Sequence, residues 1–222
     1  MTVANHIDYG FPLIVVDDLY SPVEHENIWE ELNFYSHEHK FLPPEVSGGA
    51  QRFNHITKNN KAIWISALYK ALHYSNIYCC TRKLHKYWES ILSGCDEKYK
   101  WYWESHETNS ESILLSYYEN SDYYEPHRDA GALTVLNWFY KEPKKFQGGD
   151  LFFMQDIKKR IEVRNNRTVI FPSGITHAVN EVKMSEENLN KKLGRYCITQ
   201  FLQNQRTTSD FQDTGNFNVT TT

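Results

Sequence analysis

The sequence predicts a mainly β protein, a sandwich or barrel braced by N-terminal α-helices. Three observations lead there. Residues 11–94 hold one short β-branched run followed by segments with helical start and stop signals, whereas after residue 110 the chain turns to short runs rich in β-branched and aromatic residues. Those runs, SILLSYYE, ALTVLNWFY, DLFFM, RIEV, TVIFP, HAVNEV and RYCITQFL, are broken by KEPKKFQGG, RNN, PSG and KMSEENLNKKLG, which carry the glycine, proline and asparagine of turns. Aromatic residues make up 15% of the chain, enough for a thick β-rich core or an aromatic-lined pocket.

The first element is FPLIVVDD, a buried strand, because a β-branched run stops abruptly at two aspartates. A helix follows over YSPVEHENIWEELNFY. Ser21 is its N-cap, Pro22 suits the first helical position, Glu24 completes a capping box, and Ile28, Leu32 and Phe34 supply an inner face. Residues 36–60 contain a Pro-Pro and a Gly-Gly without a stable period, so they read as a loop placed to act as a lid. Two more helices are expected, over KAIWISALYKALHYS and over TRKLHKYWESIL, the second opened by Thr81 and closed by Gly94. The aromatics of KYKWYWESHE, Trp101, Tyr102 and Trp103, suit either a substrate wall or core beneath the sheet.

At 222 residues the chain can bury roughly 70% of its unfolded surface in one domain. A single domain over 1–203 is expected, with its β core at about 111–203 and a disordered polar tail at 204–222. Net charge is −4, which offers no basic field for a phosphate backbone, so nucleic acid is not an expected partner. Cys79, Cys80, Cys95 and Cys197 contain no CxxC pair, which excludes a zinc knuckle and fits a reduced, cytoplasmic setting. The apolar run from Phe11 to Val16 is too short for a signal sequence or a membrane span. The Asn-x-Thr triplets at Asn166 and Asn218 read as chance.

Chemistry concentrates in YYEPHRDAG. If this stretch is a strand, His127 and Asp129 face one way, roughly 6.6 Å apart, while Arg128 points outward. One HxD is weak evidence, since roughly half of one is expected by chance in a chain with ten histidines. His177 adds to it, opening a strand after a turn at Pro172 and Gly174 that can set it against the pair. Two histidines and a carboxylate on one face leave the opposite positions of an ion open, which suits a non-haem Fe(II) oxygenase better than a closed zinc site. Arg195, Cys197, Thr199 and Phe201 share one strand face, with the guanidinium at the mouth. A surface ion pair would use Arg195 equally well, but its rigid fork is also suited to a two-point grip on a carboxylate.

The order of these residues resembles the Fe(II)/2-oxoglutarate dioxygenases, most closely the prolyl-4-hydroxylase type. Tyr118 and then Tyr124-Glu125-Pro126-His127-x-Asp129 are similar to that family's tyrosine and Y-x-P-H-x-D. LTVLNWFY…GGDLFF, VIFPSGITHAV and RYCITQFL are similar to its later strands, and PLIVVDDLYSPVEHENI to its opening strand and helix; residues 36–110 show no likeness. The resemblance implies a double-stranded β-helix (jelly roll, cupin-like barrel), iron on His127, Asp129 and His177, and 2-oxoglutarate held by Arg195 with Tyr118 and Thr199 as lesser contacts. It implies Fe(II), 2-oxoglutarate and O2, allows ascorbate as a stimulant, and points to hydroxylation of an unactivated C–H bond with release of succinate and CO2. The substrate would be a prolyl residue in a peptide or a free amino acid. Halogenating relatives lack the carboxylate ligand, so Asp129 favours hydroxylation. Three departures stand out: the long gap between His177 and Arg195, which makes Lys183, Lys191 and Lys192 rivals for the clamp; Trp138 where some members carry a cosubstrate-binding tyrosine; and Phe201 where many carry tryptophan. Two other readings remain at this point, a cupin-like metalloenzyme without 2-oxoglutarate and a non-catalytic jelly-roll binding protein.

Overall fold

A computed structural model of the chain describes residues 4–37, 40–47, 51–52, 55–105, 108–154 and 159–204. β1 (Ala4–Asp8) and β2 (Pro12–Asp17) form an antiparallel hairpin. β2 is the strand expected from FPLIVVDD; β1 is not foreseen, because Ala4, Asn5 and His6 carry no apolar stripe and it is the ladder to β2 that keeps it extended. α1 (Pro22–Ser36) has the predicted capping box, the Ser21 side chain accepting from the Glu24 N–H and the Glu24 carboxylate from the Ser21 N–H. Ile28 and Leu32 are buried as expected, but Phe34 is 52% exposed and Tyr35 takes the inward place.

The segment read as a lid contains two very short strands, β3 (Gln51–Arg52) and β4 (His55–Ile56). The helix expected over KAIWISALYKALHYS does not form. Its first residues make β5 (Lys61–Trp64), which pairs with Leu114 to Tyr117 at the sheet edge, and the rest reduces to α2 (Ile65–Leu68) and a 3₁₀ turn. A free sheet edge outcompetes a modest helical preference here, because Ala62 and Ile63 become buried by pairing. The second expected helix is broken into α3 (Asn76–Thr81), α4 (Lys83–Lys86) and α5 (Trp88–Leu92), and it opens at the Ser75 cap rather than at Thr81. α6 (Glu97–Ser105) follows; Trp103 is 2% exposed in the core, and the side chain of Trp101 lies outside the described residues.

Ten strands then run from β6 to β15. They are β6 (Ser110–Tyr118), β7 (Tyr124–His127), β8 (Leu133–Phe139), β9 (Phe146–Gly148), β10 (Leu151–Phe153), β11 (Lys159–Ile161), β12 (Arg167–Pro172), β13 (His177–Val179), β14 (Val182–Met184) and β15 (Arg195–Gln203). HAVNEV therefore supplies two strands to two different sheets. The large sheet has the order β1-β2-β12-β8-β15-β6-β5 and faces a smaller one of order β11-β10-β13-β7. All their pairings are antiparallel, and together they form the double-stranded β-helix.

The large sheet is buried on both faces, which explains why PLIVVD and LTVLNWF read as continuous apolar runs rather than alternating ones. Leu13, Val15, Leu136 and Phe171 point between the sheets, while Ile14, Val16, Val135 and Ile198 pack against Ile28, Leu32, Ile77 and Trp103 of the helices. Among the described residues no helix is long and apolar enough to cross a membrane. The tail from residue 205 onward and parts of the 36–60 segment, 38–39, 48–50 and 53–54, lie outside the described residues.

One buried acid ties the helices together. Glu31, 7% exposed, accepts hydrogen bonds from Tyr69 Oη at 3.0 Å, Ser75 Oγ at 2.9 Å and the Ile77 N–H at 2.7 Å, so it anchors the start of α3 to α1. Glu31→Leu should leave these donors buried without a partner and cost about 2–4 kcal/mol. A urea midpoint lowered at constant m-value is the expected reading. A loss under about 0.5 kcal/mol would show that the network contributes nothing.

Candidate metal centre

The Tyr124-to-His127 strand pairs with β13 so that His127 stands opposite His177 across the ladder. The turn foreseen after Pro172 delivers His177 to that place, the Ile175 N–H bonding to Pro172 O at 3.0 Å. Asp129 does not share a strand with His127 as expected. It lies two residues past the strand's end, just before the bend at 130–132, its N–H held by Ser173 O at 3.0 Å, with its carboxylate toward both imidazoles. His127 Nε2 is 3.6 Å from Asp129 Oδ1, and His177 Nε2 is 3.4 Å from Oδ2. The three ligand atoms lie within 4.8 Å of one another, and this is the one such cluster among the described residues.

The surroundings orient each donor. His127 Nδ1 is 2.8 Å from Glu125 O and His177 Nδ1 is 2.9 Å from Ile175 O. A carbonyl oxygen can only accept, so each Nδ1 carries the hydrogen and each Nε2 keeps its lone pair for an ion. Tyr124 stacks on the His127 ring at 3.5 Å between centroids, and Phe171 meets His177 edge-on at 4.8 Å. Thr134 donates its hydroxyl to Asp129 Oδ2 at 2.7 Å and lies 2.9 Å from Ser173 Oγ. Burial, reinforced by the neighbouring His177, pushes the His127 imidazole down to about 4, which keeps it neutral at physiological pH. Burial alone would raise the Asp129 carboxyl; the hydrogen bond and charge of His177, with the Thr134 hydroxyl, outweigh it and hold Asp129 below the usual carboxylate range. Two imidazole nitrogens and one anionic oxygen, all turned inward, fit a divalent ion with open positions.

These groups open into a cavity of about 320 Å³ between the sheets. Arg195, Cys197, Thr199 and Phe201 line it from one face of β15, as the alternation predicts. The guanidinium is not at the mouth, however. Arg195 is 1% exposed and Phe201 only partly buried, so the charge lies at the closed end of the strand. Lys183, Lys191 and Lys192 do not reach the cavity, which leaves Arg195 without those rivals. Its guanidinium sits 4.6 Å from the Tyr118 ring centroid and 5.4 Å from that of Trp138, and its Nε, Nη1 and Nη2 have no hydrogen-bond partner. A fully buried fork with no partner is costly and is the arrangement expected of a socket for an anion. Tyr118 is its register partner on β6, and Thr199, 7% exposed, lies farther along the same face.

The Gly-Gly turn before β10 completes this end. Both glycines have φ of +73°, and a Cβ on Gly149 would come within 2.9 Å of Arg195 Cδ. Only glycine permits both the left-handed backbone and that approach.

Several lining residues, Trp64, Lys58 and Asn60 among them, carry no signal in the sequence. Trp64 meets Phe201 at 5.8 Å between ring centroids and forms a wall, and Lys58, 2% exposed, reaches the cavity because its backbone bridges to Tyr124. Burial lowers the Lys58 ammonium to about 8. Nothing in HITKNN distinguishes Lys58 from a surface lysine; only the bridge does. Arg128 is exposed, as expected, but it is not idle: it lines the rim and donates Nε–H to Thr176 Oγ1 at 2.9 Å.

Residues 113–203 match the family described as the 2OG-Fe(II) oxygenase superfamily. No curated protein matches the chain. Among solved structures, a prolyl-4-hydroxylase from Pseudomonas putida aligns with a TM-score of 0.58 at 14% identity, covering 87% of this chain and 93% of its own. A prolyl hydroxylase from Trichoplax adhaerens, solved with a hypoxia inducible factor oxygen degradation domain peptide fragment, aligns with a TM-score of 0.58 at 15% identity, covering 92% of this chain and 87% of its own. A collagen prolyl hydroxylase from Paramecium Bursaria Chlorella virus-1 aligns with a TM-score of 0.50 at 14% identity, covering 86% of this chain and 94% of its own. At these identities the likeness is one of fold.

Proposed function

Because residues 113–203 match the 2OG-Fe(II) oxygenase superfamily, we propose that this protein is an Fe(II)- and 2-oxoglutarate-dependent hydroxylase. It converts an unactivated C–H bond to C–OH while 2-oxoglutarate and O2 yield succinate and CO2. The substrate is a prolyl residue of a peptide or a free amino acid. The observation that carries this reading is the pairing, in one cavity, of the inward-facing His127, Asp129 and His177 with a buried guanidinium that has no partner.

His127 Nε2, His177 Nε2 and an Asp129 oxygen would hold Fe(II), with the backbone carbonyls of Glu125 and Ile175 and the Thr134 hydroxyl fixing their orientation. The iron would supply the activation of O2 and its coupling to decarboxylation of the keto acid. Arg195 would take the distal carboxylate of 2-oxoglutarate in a two-point grip, which sets the keto acid's direction in the pocket. Tyr118 beside the guanidinium, and Thr199 farther along the same strand face, would serve as lesser contacts. Leu136, Leu151 and Val179 give the cavity dry walls, which shield the reacting centre from water.

Anaerobic titration tests the reading. The protein should bind Fe(II) and, on addition of 2-oxoglutarate, develop the weak visible charge-transfer absorption of a chelated keto acid. Under air, 2-oxoglutarate should then be consumed with release of succinate. Metal binding without any response to 2-oxoglutarate would instead mark a cupin-like metalloenzyme, and absence of metal binding would mark a binding protein.

A further inference from the structure

Three cationic side chains are buried among the described residues: Arg167, Arg195 and Lys58. Arg167 is satisfied by a two-point pair with Asp17, at 2.5 and 2.7 Å. Arg195 has no hydrogen-bond partner at its buried Nε, Nη1 and Nη2; Lys58, whose Nζ keeps some access to the cavity, has no hydrogen-bond or ion-pair partner among the described residues, and both line the same cavity. Desolvating a charge without pairing it is expensive, so an uncommitted buried cation points to a ligand that meets it.

Charge counting inside the cavity shows which ligand. Asp129 is its one acidic lining residue among those described. On the reading proposed above, a divalent ion, the Asp129 carboxylate, Arg195 and doubly charged 2-oxoglutarate sum to zero. Lys58 then remains as an unneutralised charge, with Arg128 a second one at the rim. The lysine lies at the metal end of the cavity, not with the clamp. Its Nζ is 5.8 Å from the centroid of Tyr124, the ring stacked on His127, whereas Arg195 packs on Tyr118 and Trp138. Two residues on, Asn60 lines the same cavity at 1% exposure and its Oδ1 accepts no hydrogen bond, an acceptor suited to an N–H. A cavity of about 320 Å³ is at the small end of ligand sites and leaves little room beside 2-oxoglutarate.

We propose that Lys58 binds the carboxylate of the substrate, and that the oxidised carbon belongs to an α-amino acid, either free or at the C-terminus of a peptide, rather than to an internal residue. An internal peptide residue offers no backbone charge to this lysine. This inference rests on the oxygenase reading and selects a substrate class within it.

The test uses the full-length protein loaded with Mn(II) and 2-oxoglutarate under argon, so that no turnover occurs. Ligand-observed NMR then screens the common amino acids, free and as C-terminal residues of alanyl dipeptides, each as the acid and as its primary amide. Relaxation by Mn(II) reports binding beside the metal. At least one acid should bind about tenfold or more tightly than its amide, the factor expected for one charge-assisted hydrogen bond. The free and dipeptide arms identify the source of the carboxylate. Lys58→Met should erase the preference while leaving 2-oxoglutarate affinity unchanged, and Lys58→Arg should restore part of it. Equal binding of acid and amide overturns the proposal, as does binding by no member of the set. A Lys58→Met protein that keeps the preference, or that loses 2-oxoglutarate affinity instead, overturns it equally. Failure of the oxygenase reading would look different, because 2-oxoglutarate would then not tighten Mn(II) binding even in the unaltered protein.

Discussion

Arg195→Met should raise the 2-oxoglutarate requirement about 100- to 1,000-fold while metal affinity stays within a few-fold of the unaltered protein. The size follows from the position: Arg195 is 1% exposed, so its pair with a carboxylate would form away from water, where an ionic contact is screened least. Methionine fills much of the same volume, which separates loss of charge from loss of packing. A second effect should accompany the first. Without cosubstrate, the guanidinium is a buried charge whose three nitrogens have no partner, so removing it should stabilise the unliganded protein by about 1–3 kcal/mol, or several degrees in Tm. Saturating 2-oxoglutarate should then reverse the order of stability, because only the arginine form gains from binding. Thermal melts with and without 2-oxoglutarate, beside a metal titration, decide the matter. A variant that loses metal but keeps its 2-oxoglutarate affinity would sink the clamp.

Asp129→Ala should remove Fe(II) binding in the micromolar range and abolish 2-oxoglutarate turnover. Asp129 is the one anionic donor of the three, and its two oxygens face the two imidazoles at 3.6 and 3.4 Å. Without it the centre keeps only two neutral nitrogens, too few to outcompete water for a hard divalent ion. Thr134→Val supplies the graded control. It deletes the 2.7 Å hydrogen bond to Asp129 Oδ2 but no ligand, so it should cost about 10- to 100-fold in metal affinity and leave the fold intact. His127→Ala should match Asp129→Ala. Full metal affinity and turnover in Asp129→Ala would place the metal elsewhere.

Much of the candidate site is legible in the sequence. His127, Asp129, His177 and Arg195 stand out because the ligand and clamp chemistry proposed for them restricts residue type, and because each sits beside a turn signal or at the start of a strong strand. The double-sided burial of the large sheet also shows directly, in PLIVVD and LTVLNWF. Sequence and structure part where local preference is weak. KAIW has helical company on its C-terminal side, yet it lies along β6, and pairing to a distant strand leaves no local trace. The spacing of the pair suggests one strand, whereas Asp129 leaves it, its N–H bonding to Ser173 O instead of continuing the ladder.

By itself the sequence determined the class of fold, the opening strand with its capped helix, the three residues that converge on one centre and the strand face that bears Arg195. These follow from patterns of period two and from residue chemistry that few positions can satisfy. Only the tertiary structure decided that the guanidinium lies at the closed end, that Trp103 is core rather than wall, and that Lys58 is a cavity residue. Each of these depends on which distant segment packs over a side chain. Burial of that kind is a property of the assembled sheets and helices, and no local window of the chain encodes it.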